Sequence, residues 1–351
     1  MTTNGRPGYG DATAHYLSAR RRDPVKVLME EVATHRVLSR AVAALDLAPG
    51  APLTVLDLGA GTGDGLALLT ERHGEPAAPA AGHPLRYTGL DADPGMVATA
   101  QQLRPEARFV QGDMRDAGDP ERFGGTDLYL SCGVPWSHLD PDAARTALAG
   151  ILAAAARRAT AARPRRTAIV VDVLGRYSVE WTPNWGRTRW NYAMSFFEDV
   201  DATVEEIMHT YDRPGLDALI HQAADAARLP ALGVPFAVEY ADRSVLTGRH
   251  TATRALNPAL PAPYRTLVNR LHRGEDIDPA ELRHTPPTEG APDDVLRFHA
   301  EFADGWNTLL ATAAAGPEAL ARALLEHELK APRGLGAGHS LSAVVLVRPG
   351  G

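Results

Sequence analysis

Apolar and polar positions along this chain follow two periods, and the switches between them mark its elements. Val55, Leu56 and Leu58 form a short apolar run of the kind a strand buried on both faces shows. Gly59, Gly61, Gly63 and Gly65 follow at every second position, and Leu66, Leu68 and Leu69 then open an amphipathic helix. Further strands are predicted at Arg86 to Asp91, Arg108 to Gln111, Asp127 to Ser131 and Thr167 to Val173. A helix from Asp140-Pro141 to residue 163 stands before the last of these, and another is predicted over Pro214 to Arg228. Pro235 to Leu246 reads as a sixth strand and Leu341 to Val347 as a seventh, with a shorter strand at Val204 to His209. Strands alternating with helices predict an α/β fold, a doubly wound and mostly parallel sheet of seven strands.

Both flanks of this core read as helical. Residues 1–10 are polar and glycine-rich, the composition of a disordered terminus. Residues 11–48 predict two helices divided near Asp23-Pro24, because proline blocks continuation through that point. The second carries Val25, Leu28, Val32, Val37, Leu38, Ala41, Val42 and Leu45 on one face with a period near 3.6. Residues 249–338 form an insertion before the last strand, with helices predicted at Pro263 to His272, Asp293 to Ala315 and Pro317 to Lys330. The expected organisation is a helical segment over 1–48, a core over 49–248, the insertion over 249–338 and a final core strand over 339–351. The insertion reads either as a cap or as the contact of a homo-oligomer.

Residues 177–197 carry Tyr177, Trp181, Trp185, Trp190, Tyr192, Phe196 and Phe197 in a stretch whose Pro, Gly and Asn argue against a regular element. A long loop after a strand's carboxyl end is a natural substrate lid, which makes Trp181, Trp185, Trp190 and Tyr192 candidate substrate-binding residues. The competing reading is a satellite hydrophobic cluster that packs the loop on itself.

Charge and cysteine usage narrow the function. The formal net charge of −7 comes with no basic face, which excludes the clustered Lys and Arg of a nucleic-acid binder. Arg20-Arg21-Arg22 is short and followed by acids, so it reads as a solvated helix face. Cys132 is the lone cysteine, which excludes an internal disulfide and a cysteine-based zinc cage. No histidine pair has metal-ligand spacing, so no metal is expected. No signal peptide opens the sequence, and Arg157 and Arg158 break its longest alanine-rich run, so a cytoplasmic protein without a membrane span is expected.

The glycine loop raises the question of its ligand. A dinucleotide fingerprint would need a third glycine at 64 or 66, where the chain has Asp64 and Leu66. A phosphate-cradling loop would need a Lys followed by Ser or Thr after the glycines, and none is there. What remains is D-x-G-x-G-x-G from Asp57 to Gly63. The second strand ends in Asp91, where an acid can accept hydrogen bonds from both ribose hydroxyls. Asp91 as a helix cap is the weaker reading, since Asp93 before Pro94 fills that role better. The third strand ends in Gly112-Asp113-Met114 and the fourth in Ser131, followed by Cys132-Gly133-Val134-Pro135-Trp136-Ser137-His138-Leu139. Acids and glycine turns thus stand beyond four successive strands, along the carboxyl edge where open α/β sheets bind ligands.

Together these motifs resemble the class I S-adenosylmethionine-dependent methyltransferase superfamily, over roughly residues 50–175. The resemblance implies S-adenosyl-L-methionine as cofactor, leaving as S-adenosyl-L-homocysteine. Asp57, Gly59, Ala60, Gly61 and Gly63 would hold the methionine end, Asp91 and Ala92 the ribose, and Gly112, Asp113 and Met114 the adenine. Ser131 and Tyr129 would face the cofactor, and Tyr16 would close over it from the N-terminal helices or staple them to the sheet. His138 is the candidate base, with a structural turn histidine as its alternative, and Trp136 joins the candidate substrate residues. The amino-methylating branches carry an Asn/Asp-Pro-Pro-aromatic turn after the fourth strand, and Ser131-Cys132-Gly133-Val134-Pro135-Trp136 departs from it. The expected function is methyl transfer to the O, N or C of an aromatic or apolar small molecule in bacterial specialised metabolism. An aminopropyl-type transferase and a non-catalytic cofactor-binding scaffold are the alternatives.

Overall fold

The apolar run at Val55 becomes β1 (Leu53–Leu58), and the helix after the glycines is α2 (Asp64–Thr70), preceded in the chain by α1 (Glu31–Ala44). The computed structural model describes residues 22–195, 203–248, 257–260, 263–312, 316–331 and 333–350. The chain continues through β2 (Leu85–Asp91), α3 (Pro94–Leu103), β3 (Arg108–Gln111), the short α4 (Pro120–Phe123) and β4 (Leu128–Leu130). Next come α5 (Pro141–Ala159), β5 (Thr167–Gly175), β6 (Arg189–Ser195), β7 (Thr203–Tyr211), α6 (Arg213–Ala226) and β8 (Phe236–Arg243). The insertion contributes α7 (Tyr264–His272), α8 (Asp293–Thr312) and α9 (Pro317–Lys330), and β9 (Ser340–Val347) returns to the sheet.

The strands form one sheet in the order β3-β2-β1-β4-β5-β7-β6, with β9 also alongside β5 and β8 outside β9. Pairs from β3 to β5 are parallel, and β9 runs antiparallel to both β5 and β8. This is the expected doubly wound sheet, but it holds nine strands rather than seven. The departure is a hairpin: β6, which was not predicted, runs antiparallel to β7, the strand predicted at Val204 to His209, and Thr210 and Tyr211 of β7 join the end of β5 at Leu174 and Gly175. Residues 189–195 are therefore a strand where a loop was predicted. Trp190 and Tyr192 alternate with polar Arg189 and Asn191, a two-residue period that the neighbouring Pro, Gly and Asn obscure.

One sheet face packs on α5 and α6 through Ala144, Leu148, Ile151, Leu216 and Ile220. The other packs on α1 and α2 through Leu38, Ala41, Leu66 and Leu69. Before α1 the chain makes a π-helical turn, Lys26–Glu30, and Leu28 on it is exposed although the predicted apolar face includes it. The extra residue in each i→i+5 turn rotates Leu28 off the stripe that Val32 and Leu38 continue. The first predicted N-terminal helix lies outside the described residues. The predicted caps hold: Asp93 accepts from Gly95 and Met96 N–H at 2.7 and 3.0 Å, and Asp140 accepts from Ala143 N–H at 2.9 Å.

The insertion helices share a third core with the aromatic segment, centred on Trp181, Trp185, Tyr264, Phe298 and Trp306. Val134, Leu174 and Met208 belong to it too, so the helices rest against the carboxyl ends of β4 and β5 and the added hairpin. Buried ion pairs tie them to the N-terminal segment, with Arg265 of α7 holding Asp23 at 2.8 Å and Glu30 at 2.9 Å. Asn269 accepts the N–H of Val25 at 3.0 Å. No helix among the described residues is long and apolar enough to cross a membrane.

Candidate functional site

The glycine loop is knotted to the end of β2. The N–H groups of Gly59 and Ala60 both donate to Leu90 O, at 2.9 and 3.1 Å, and that of Gly61 donates to Asp91 Oδ2 at 2.8 Å. Asp91 Oδ1 accepts from Asp93 N–H at 2.9 Å, which leaves each carboxylate oxygen a second lone pair. Gly59 is required by contact, since a Cβ there would stand 2.7 Å from Pro135 of the turn after β4. Gly61 has φ +52° and nothing within 4 Å of its missing Cβ, so bare backbone faces open space beside Asp91. That is a cradle a ligand can enter. Burial raises the Asp91 carboxyl above its usual range, and the two backbone donors work against the rise.

Asp57 lies beneath the loop, fully buried, its Oδ2 accepting the Tyr87 hydroxyl and its Oδ1 without any hydrogen-bond partner. Burial, with nearby Asp91 and Asp64 adding to it, pushes its carboxyl up to about 7 against the opposing Tyr87 bond. An orphaned buried carboxylate oxygen beside a glycine cradle suits a ligand with a cationic end. From the opposite side, Lys26 Nζ reaches Asp64 Oδ2 at 3.2 Å and so joins the N-terminal segment to the first turn of α2.

Farther along the edge, Gly112 N–H donates to Asp91 O at 2.9 Å, bringing the ends of β2 and β3 together. Asp113 accepts from Arg115 N–H and from Arg115 Nε, each at 2.8 Å, and the guanidinium bonds hold its carboxyl below the usual range. Met114 is half-buried against the sheet, and Ala92 is exposed at the tip of β2. Tyr16 lies outside the described residues, as do Phe196 and Phe197.

Ser131 requires a correction. Its hydroxyl donates to Val170 O at 2.7 Å and accepts from Asp172 N–H at 3.1 Å and Trp136 Nε1 at 3.2 Å. One donor and two lone pairs are a hydroxyl's whole capacity, so nothing remains for a cofactor. Trp136 is correspondingly buried and spends its own N–H on Ser131, and Tyr129 is packed in the core beneath α5. The following turn is pinned by Asp172, whose Oδ2 accepts from Gly133 N–H at 2.9 Å, Val134 N–H at 3.2 Å and Arg243 Nη2 at 3.0 Å. None of the Asp172–Arg243 tether is visible in motif spacing.

His138 ends that turn, a 3₁₀ helix over Pro135–His138. Its Nδ1 lies 2.6 Å from Oε2 of Glu206, on β7. A positive charge on His138 favours ionised Asp91, so the imidazole stands within electrostatic reach of the cradle. Sequence reasoning missed Glu206, and no local signal marks it.

The aromatic candidates are packed rather than open. Trp181 Nε1 donates to Gly175 O at 3.1 Å, and Trp185 Nε1 donates to Ser178 O at 2.8 Å with its ring stacked on His299. Trp190 tilts against Trp181 and Tyr192 meets it edge-on, and the Trp190 indole nitrogen is buried without a partner. Among the described residues no group of three or more His, Cys, Asp or Glu gathers to hold a metal ion.

A family model described as a methyltransferase domain matches residues 55–158, the stretch that contains the cradle, both edge acids and His138. Trans-aconitate 2-methyltransferase from Escherichia coli (strain 55989 / EAEC) is 37% identical over 107 residues, covering 29% of this chain and 38% of that protein. The match thus spans well under half the length of the curated relatives. Among solved structures, an S-adenosylmethionine-dependent methyltransferase from Clostridium acetobutylicum ATCC 824 overlays with a TM-score of 0.41 at 12% identity, over 66% of this chain and 89% of that one. Streptomyces venezuelae DesVI overlays with a TM-score of 0.41 at 16% identity, over 70% and 97%. The strand–glycine–helix unit thus stands at the head of a segment similar to a methyltransferase domain, as its glycine and acid motifs predict.

Proposed function

We propose that this protein is an S-adenosylmethionine-dependent methyltransferase acting on a small-molecule acceptor. The observation that supports it most is the Asp91 carboxylate, fixed by Gly61 and Asp93 N–H with lone pairs left over beside an open glycine. Asp91 and Ala92 would take the ribose, Asp57 with Gly59, Ala60, Gly61 and Gly63 the cationic amino-acid end, and Gly112, Asp113 and Met114 the adenine. Bound there, the cofactor supplies an electrophilic methyl on a sulfonium for in-line displacement.

The chain's own part is alignment and proton handling. Positioning alone supplies effective molarities of ~10⁵–10⁸ M in well-oriented reactions. The Asp172–Arg243 pair holds the turn that carries His138, and the insertion helices rest on the same carboxyl edge. This packing favours the insertion as a cap that excludes water over a partner contact. His138 is the residue suited to accept a proton from the acceptor. Because the aromatic residues of 177–192 are spent in packing, their presence does not specify an aromatic acceptor.

Parallel calorimetric titrations with S-adenosylmethionine, S-adenosylhomocysteine and NAD test the reading. Micromolar binding of the first two and none of the third is expected, and binding of NAD alone would overturn it.

A further inference from the structure

We propose that Tyr87 is a positioning residue of the cofactor site: its hydroxyl holds one oxygen of Asp57 and so keeps the other for the ammonium of the ligand's amino-acid end. This rests on the methyltransferase reading above, in which Asp57 receives that end. The Tyr87 hydroxyl donates to Asp57 Oδ2, and a Cβ on Gly65 of α2 would collide with the same oxygen. Asp57 Oδ1 is buried and meets no hydrogen-bond donor among the described residues. The two oxygens of this carboxylate are therefore unequal, one closed in by the protein and one left to accept.

The support for Tyr87 comes from strand register. Val55 stands opposite Tyr87 and Asp57 opposite Gly89, so the tyrosine and the acid share one face of neighbouring parallel strands, one pleat apart. Gly89 in turn stands opposite Phe109 of β3, and a Cβ on Gly89 would collide with the Phe109 ring. The missing side chain thus makes room for Phe109, which meets the Tyr87 ring edge-on with centroids 5.8 Å apart. A Cβ on Gly63 would stand 2.9 Å from the same phenylalanine, so the ring that sets Tyr87 also backs the glycine cradle. A first group locked by a packed second one keeps its geometry when the ligand arrives.

Charge favours a cationic occupant. Burial and the adjacent Asp57 raise the Tyr87 hydroxyl well above its usual range, so it stays a donor. Its bond favours ionised Asp57 against the burial that disfavours the charge, and Asp91 and Asp64 add further negative field. A buried carboxylate oxygen in that field is satisfied best by a donor that brings positive charge. No motif marks Tyr87, which lies in mid-strand four residues before Asp91.

Calorimetric titration with S-adenosylhomocysteine and with its desamino analogue, which differs only in lacking the ammonium, tests this. The wild type is expected to prefer S-adenosylhomocysteine. Tyr87→Phe should shrink that preference by roughly 10-fold, the worth of one bond to a charged group, and leave affinity for the desamino analogue near that of the wild type. Parallel loss of both affinities, or an undiminished preference, overturns the proposal, because a tyrosine that only supports the fold does not single out the ammonium. Since Tyr87→Phe strands the Asp57 carboxylate and can unfold the chain, the same substitution is also made on Asp57→Asn, where no charge is buried. There it should change the preference no further, and a second fall would mean that Tyr87 acts without Asp57 and equally overturns the assignment. A wild type that binds neither ligand overturns the methyltransferase reading, whereas one that binds both equally leaves that reading standing and removes the role of Tyr87.

Discussion

Gly61 donates its backbone N–H to the carboxylate of Asp91 across 2.8 Å, so the acid proposed to take the ribose also holds the glycine cradle in shape. Asp91→Ala should therefore remove two hydrogen bonds to the ribose, about 1.5–3 kcal/mol each, and loosen the loop as well. Calorimetry should find S-adenosylmethionine affinity lower by roughly 10²–10⁴-fold. Unchanged affinity would mean that the ribose lies elsewhere.

Asp57 gives the site a pH dependence with a definite sign. Burial pushes its folded-state carboxyl up to about 7, so between its ordinary range and that point the folded protein holds a proton the unfolded chain has lost. Its contribution to stability is complete at acid pH and disappears as pH rises through 7. A cationic ligand end beside it reverses the preference and expels the proton. Titrations of S-adenosylmethionine at pH 6 in two buffers of different ionisation enthalpy should detect proton release from the wild type and none from Asp57→Asn. Equal apparent enthalpies in the two buffers for the wild type would exclude this role.

Ser131→Ala should separate structure from ligand binding. The substitution strands Trp136 Nε1, Asp172 N–H and Val170 O in the interior, at about 1–3 kcal/mol for each group left unpaired. A lower urea midpoint with cofactor affinity intact is expected. The opposite result, intact stability with affinity lost, would return Ser131 to the cofactor site.

Trp185 is 2% exposed, bonded to Ser178 O and stacked on His299 between the aromatic segment and α8. Trp185→Ala should cost about 3–5 kcal/mol of stability. Denaturant unfolding followed by circular dichroism reads this, with Trp185→Phe expected to fall between. A fully stable alanine variant would revive the lid reading of this segment.

Local readings succeeded where chemistry and geometry share one short stretch. The order strand, glycines, helix is written in consecutive residues, and Asp91 ends its strand while Asp113 stands two residues beyond its own. The insertion helices were legible for the same reason, with α7 found at Tyr264–His272 and α9 at Pro317–Lys330 against predictions one residue longer or the same. Ser131 and Trp136 were misread because a residue after a parallel strand can turn toward ligand or into the sheet with the same sequence signature. The hydrogen bonds to Val170 and Asp172, on another strand, decide between the two.

By itself, then, the sequence determined the doubly wound core, its glycine cradle and the edge carrying the acids, because parallel strands joined by helices must gather their carboxyl ends on one side. Only the tertiary structure brought Glu206 to His138, Arg243 to Asp172 and Arg265 to Asp23 and Glu30. Each of these pairs joins residues far apart in the chain, and their meeting depends on strand register and helix packing. A slip of one residue in β7 would turn Glu206 to the opposite face.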